Sequence, residues 1–180
     1  QAPFYGFFWE SWSLSIEEWF YILYPLAIFL SAYIFKKWKI KKLLFTVTAI
    51  FIILPLLYKI YMANLHHVDN FWWDVQFRKT VLTRLDTVIW GVLMALIYVY
   101  YEKVFRLIRW PAFAIGLALL IFNMLSSYDA DTLYMKSFYF VVNSLGAALL
   151  LPLLNSWKTT KQTLVVRTFT RISIISYAIY

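Results

Sequence analysis

The chain has 180 residues, 63% of them apolar, 22% aromatic and only 14% charged, with a formal net charge of +8 and no cysteine. Soluble domains run at about 45–50% apolar and about 25% charged, so a water-soluble globular domain is not a fit, and without thiols there is neither a disulfide frame nor a cysteine metal site. The mean hydropathy of +0.68, with cations gathered between apolar runs, points to a multi-span membrane protein and away from a nucleic-acid binder.

A spanning helix needs about 20 mainly apolar residues, and five runs of that kind follow one another along the chain. The first covers Ile16 to Phe35, and the basic segment KKWKIKK follows it at 36–42. The second covers Leu43 to Ala63 and gives way to the polar loop NLHHVDNFWWDVQFRKT at 64–80. The third covers Val81 to Tyr101, the fourth Pro111 to Tyr128 and the fifth Ser137 to Asn155; a sixth opens near Ile172 and stops at Tyr180. The runs are continuously apolar rather than alternating, and too long for barrel strands of about 9–11 residues. The expected fold is therefore all-α: a polytopic transmembrane helix bundle of five full spans plus a truncated sixth.

Charge orients this bundle. Lys36, Lys37, Lys39, Lys41 and Lys42 follow the first run, Lys103, Arg106 and Arg109 the third, and Lys158, Lys161, Arg167 and Arg171 the fifth. The loops at 64–80 and 129–136 mix their few cations with Asp69, Asp74, Asp129 and Asp131. Short cytoplasmic loops carry the Lys/Arg excess. The odd-numbered runs are thus expected to end in the cytoplasm, with residues 1–15 and the two mixed loops facing outward. The chain begins QAPFYGFFWE and stops inside SIISYAIY, which reads as an internal piece of a longer protein.

Two places put ionisable groups at the outer edge of a span, where such groups are functional candidates by default. In WSLSIEEWFYILYP, residues 12–25, Ser15 and Glu18 have the spacing of a capping box, with both carboxylates in a first turn whose dipole favours them. Glu17 shares a helical face with Tyr21 and Tyr24, and Pro25 frees the carbonyl of Tyr21. In TRLDTVIWGVLMA, residues 83–95, Arg84 and Asp86 stand about 200° apart on a helix and cannot pair with each other. Each needs another partner or water, and Glu17 is the attractive partner for Arg84. Gly91 and Ala95 form a small-xxx-small step suited to close helix contact. Asn123 and Asn143 are expected to hydrogen-bond between helices. His66 and His67 are either acid/base groups or a solvated loop pair, and FWWDVQF at 71–77 is either an interfacial helix or a sugar platform. No phosphate loop, dinucleotide fingerprint, zinc-protease or serine-hydrolase motif occurs.

The stretch ESWSLSIEEWFYILYP resembles the hallmark of the acyltransferase 3 family, integral-membrane O-acyltransferases of surface glycans, at Trp12, Ser13, Leu14, Ser15, Glu17, Phe20, Tyr21 and Pro25. TRLDTVIWGVLMAL resembles a second family motif at Arg84, Asp86, Gly91 and Ala95, and ISYAIY a third at Ser176, Tyr177 and Tyr180. The resemblance implies that residues 1–180 are the C-terminal half of one membrane-embedded acyltransferase domain, truncated at both ends. The catalytic histidine would lie on missing N-terminal helices, leaving this piece inactive alone. It further implies acyl-CoA, acetyl-CoA first of all, as cytoplasmic donor, no metal, and a glycan hydroxyl as outer-side acceptor. Glu17 and Arg84 would then support catalysis, and Trp12, Ser13, Ser15, Tyr21 and Asp86 would contact substrate. Peptidoglycan, lipopolysaccharide, capsule, exopolysaccharide and small acceptors stay open, and the implied location is the bacterial inner membrane. The rival readings are a transporter fragment without enzymatic activity and a structural membrane subunit.

Overall fold

The computed structural model of the chain describes residues 11–65, 67, 69–126, 128–157, 168 and 170–174. Among them every regular element is a helix: α1 (Ser11–Ile34), α2 (Ile40–Leu65), α3 (Asn70–Trp73), α4 (Leu85–Tyr100), α5 (Glu102–Leu107), α6 (Arg109–Leu125) and α7 (Tyr139–Leu154). A π-helical turn at Asp74–Arg78 and a 3-10 turn at Val81–Thr83 lead into α4, and a second π-helical turn at Tyr134–Phe138 leads into α7. Four helical stretches are long and apolar enough to cross a membrane: Ser13–Ile34, Ile40–Leu65, Val81–Tyr100 and Tyr134–Leu154. The fourth apolar run becomes α6, whose 17 residues extend only about 25 Å at 1.5 Å per residue. It ends where Ser126 turns to extended backbone. Residues 175–180, with Ser176, Tyr177 and Tyr180, lie outside the described set.

α1, α2 and α4 pack around Phe20, Tyr24, Leu43, Val47, Leu85 and Ile89. The buried stripe on α1 is Ile16, Phe20 and Tyr24, a four-residue repeat that keeps one face inward. Phe20 and Tyr24 stack at 5.2 Å and Phe51 meets Tyr24 edge-on at 5.4 Å. The Tyr24 hydroxyl shares a hydrogen bond of 2.9 Å with Thr48, which also donates to Leu44 O, so a phenol at membrane depth is satisfied inside the bundle. The opposite faces carry exposed Phe29, Leu30, Tyr33 and Ile53; apolar surface of that extent suits lipid, not water.

Two expectations fail here. Ser15 is not an N-cap and Glu18 does not close a capping box, because the helix is already formed at Ser11 and no acidic residue stands in its first turn. Residues 11–15 contain neither Gly nor Pro to stop it. Nor is Gly91 a helix-contact glycine: a Cβ built there meets nothing within 4 Å. The close approach lies between α6 and α7, where a Cβ on Gly116 would sit 2.7 Å from Gly146 O and 2.9 Å from Leu149 Cβ. Gly116→Ala is therefore expected to destabilise the protein by about 1–3 kcal/mol through overpacking, while Gly91→Ala leaves stability unchanged or slightly raised. Thermal melting in one detergent compares the two; equal melting temperatures would refute the tight α6–α7 contact.

Candidate functional site

The bundle has two unlike ends. At one, Lys41 lies over the Tyr101 ring at 3.8 Å, and Phe45 contacts both Tyr100 and Tyr101, joining the start of α2 to the end of α4. At the other, the two mixed-charge loops meet. His67 Nδ1 lies 2.7 Å from Asp131 Oδ2, Lys136 Nζ is 2.6 Å from Asp131 Oδ1, and the same ammonium donates to Ala63 O at 3.4 Å. Trp73 Nε1 donates to Met135 O at 3.0 Å. The loops at 64–80 and 129–136, expected to share one side of a membrane, are thus in contact, and the basic segments that follow α1 and α4 lie at the opposite end.

Below that loop cap is the most unusual feature of the chain, a fully buried ion pair. Lys59 Nζ donates to Asp86 Oδ2 at 2.7 Å, with the two side chains 0% and 1% exposed. Lys59 lies six residues before the end of α2, about 9 Å along the axis. Asp86 stands in the first turn of α4, where the helix dipole also favours its charge. Charges at membrane depth are tolerated when they face the bundle interior and pair, and both conditions hold here. Asp86 Oδ1 is buried and accepts no hydrogen bond. A carboxylate oxygen retains that capacity, so it can take a proton donor such as a hydroxyl.

Arg84 caps the start of α4 with non-helical backbone, φ −123° and ψ −3°. Its guanidinium lies 3.9 Å above the Phe140 ring, tying α4 to α7 through a cation–π contact. It is within electrostatic range of both Asp86 and Lys59. Thr83 fixes the approach to this corner by donating to Phe77 O and Thr80 O at 2.9 and 2.8 Å. Phe140 is in turn stacked on Trp73 at 5.4 Å.

The residues singled out in the first span are distributed differently from expectation. α1 packs on the Val81–Thr83 turn and on α4, so the helices carrying the first two motifs are neighbours. Glu17, Ser13 and Ser15 are half-buried, but no ion pair joins Glu17 to Arg84. Tyr21 is 65% exposed while Tyr24 is buried, so the supposed face of Glu17 and two tyrosines is split between lipid side and core. Trp12 lies on α1 and its side chain is outside the described set, as is His66. Asn123 does bridge helices, donating to Tyr139 O at 2.9 Å and accepting from the Tyr134 hydroxyl. Among the described residues Asn143 makes no such bond; with Thr87, Gly91 and Ser144 it borders a groove of 420 Å³ between α4 and α7. A larger cavity of 540 Å³ between α1 and α2 is lined almost wholly by apolar side chains and offers no chemistry.

Lys59 escaped sequence reading. It sits one residue after Tyr58 near the end of an apolar run, where snorkelling to the headgroups is the ordinary fate of a lysine. The available signal was the unpartnered aspartate at the start of the next span, which required a cation somewhere. Among the described residues no group of three His, Cys, Asp or Glu side chains could hold a metal ion. No family model, curated protein or solved structure matches this chain.

Removing one partner of a buried pair strands the other charge, at a cost of about 3–5 kcal/mol. Lys59→Met and Asp86→Leu are each expected to lower stability by that order. The double variant should recover much of the loss, because an apolar pair of similar volume leaves no charge behind. A double-mutant cycle of chemical or thermal unfolding in detergent measures the coupling, and simple additivity would refute the pair.

Proposed function

We propose that this chain is the membrane-embedded part of an O-acyltransferase that moves an acyl group, acetyl first of all, from cytoplasmic acyl-CoA to a hydroxyl of a surface or exported glycan. The reading is carried by one observation: Asp86, buried against Lys59, and the half-buried Arg84, the charged residues of the second motif, form a charged corner at the end away from the lysines that follow α1, beside the helix bearing Glu17. A purely structural bundle has no need of a buried Lys–Asp pair with a guanidinium next to it, since apolar residues pack such a site at no desolvation cost.

In this reading the glycan hydroxyl approaches from the outer side and its oxygen attacks the acyl carbonyl. The ester C–O bond forms, the acyl–sulfur bond breaks, and the hydroxyl proton passes by way of a base to the departing thiolate. That base is supplied by the helices that precede this segment in the complete protein. Arg84 stabilises the oxyanion with fixed positive charge in a water-poor site. Glu17 orients the base or accepts from the acceptor's hydroxyls. Asp86, held by Lys59, offers Oδ1 to a hydroxyl, and the half-buried Ser13 and Ser15 line the approach along α1. α6 serves as a fifth crossing, since α5 lies at the basic end and α7 starts from the other, and residues from Ile172 begin a sixth. The bacterial inner membrane, with the basic end in the cytoplasm, is the matching location.

The buried Lys59–Asp86 pair also favours a second reading, a transporter fragment without enzymatic activity, because paired charges mark ion and proton pathways in membranes. Activity separates the two. In the complete protein, Glu17→Gln and Arg84→Lys at wild-type expression are each expected to lower transfer of a labelled acyl group to glycan at least about tenfold, as loss of a positioned proton-transfer or oxyanion group does. Unchanged acylation in both would end the enzyme reading. Topology is checked separately: single cysteines placed at Lys103 and Asp129 are expected to label from the cytoplasmic and outer faces respectively, and labelling from one face would remove α6 as a span.

A further inference from the structure

At the basic end, α4, α5 and the turn into α6 enclose a cleft of 290 Å³ against the end of α7. It is the most polar of the cavities described above. Arg106 and Arg109 line one side and Asn155 and Ser156 the other, with Tyr98 and Phe105 as an aromatic floor. The arginines come from the end of α5 and the start of α6, and both line the cleft. Arg106 is ion-paired to Glu102 through one nitrogen and keeps its remaining N–H donors. Arg109 has no ion pair, and the Asn155 carboxamide no hydrogen bond, among the described residues. No carboxylate lines the cleft. The terminal carbonyls of α7 that would repel an anion are already engaged: Leu151 O accepts from Asn155 N at 2.8 Å, and Leu153 O from Ser156 N at 2.9 Å.

Positive-inside bias accounts for arginines in this loop. It does not account for two of them lining a cleft with the Asn155 carboxamide, beside a Ser156 hydroxyl that donates to Leu153 O. Guanidinium forks recognise tetrahedral oxyanions bidentately, and a carboxamide adds a neutral donor. The Tyr98 and Phe105 rings, 5.2 Å apart and edge-on, give a flat aromatic moiety a surface to pack on.

We propose that this cleft is a phosphate-ester site. Resting on the acyltransferase reading, it takes the nucleotide end of the acyl-CoA donor, with phosphates on Arg106 and Arg109 and the base ring near Tyr98 and Phe105. The headgroup of an anionic phospholipid offers the same phosphate chemistry without the ring.

The test uses the complete protein in phosphatidylcholine nanodiscs. Binding of labelled coenzyme A and of its analogue lacking the 3′-phosphate is measured for wild type, Arg106→Gln/Arg109→Gln and Arg106→Lys/Arg109→Lys. Retention of phosphatidylglycerol is followed in parallel by native mass spectrometry. The glutamine pair is expected to raise the Kd for coenzyme A at least about tenfold, the loss of one charge-assisted contact or more. The lysine pair, which keeps charge but not the fork, should fall between; it stands as the test if the glutamine pair melts below wild type. Removing the 3′-phosphate should weaken binding to wild type and matter less in the glutamine pair. If coenzyme A binding is unaffected while phosphatidylglycerol retention is lost, the phosphate site holds and the donor assignment is overturned. If neither changes, the proposal is overturned. Arginine-dependent coenzyme A binding without any acyl transfer overturns the acyltransferase reading and leaves this site standing.

Discussion

A lysine and an aspartate, 27 residues apart in sequence, meet at 2.7 Å inside an apolar bundle. Much of the architecture at that end follows from keeping those two charges out of lipid. The pair fastens the last third of α2 to the first turn of α4, and so fixes where α4 begins. Arg84 is the residue at that beginning, and its place over Phe140 then brings in α7. The stacked Trp73 and the bond from Trp73 to Met135 close the loops over the same corner. Replacing such a pair by apolar residues is often neutral or stabilising. Its presence therefore fits a chemical or gating role better than a stabilising one.

The rest of the bundle is held by ordinary means. Edge-on contacts of Phe51 with Phe20 and Tyr24 join α1 to α2, and glycine-mediated backbone approach joins α6 to α7. In a membrane, small residues at helix contacts matter because lipid tails compete with apolar side chains for every other surface. The groove beside Gly91 shows the complementary use of a small residue: open space next to Thr87, Asn143 and Ser144, where a larger side chain would fill the seam between α4 and α7. Cavities bordered by polar groups thus lie along α4 and α7, while the 540 Å³ cavity between α1 and α2 is apolar.

Charge separation between the two ends is the other organising fact. Mixed-sign loops pair with each other at one end, through His67, Asp131 and Lys136. The other end holds Arg109, without an ion pair among the described residues, beside Asn155, and a run of lysines after α1. Under the acyltransferase proposal these ends divide the labour: acceptor chemistry at the charged corner and donor phosphates at the basic cleft.

What the amino-acid sequence determined by itself was helical class, the position of the apolar runs and which loops share an end, because helix length and loop charge are local properties that any apolar solvent reads in the same way. It also singled out Arg84 and Asp86, although the angle expected between them assumed one continuous helix and Arg84 stands just outside α4. Tertiary structure alone decided that the partner of Asp86 is Lys59, that Arg84 rests on Phe140 rather than on Glu17, that Tyr24 faces the core and Tyr21 does not, and that Gly116 and Gly146 rather than Gly91 meet another helix. Each of these depends on the rotation and approach of one helix against another. Periodicity within a single span limits such rotations to a face, and only packing against the neighbours selects the atom.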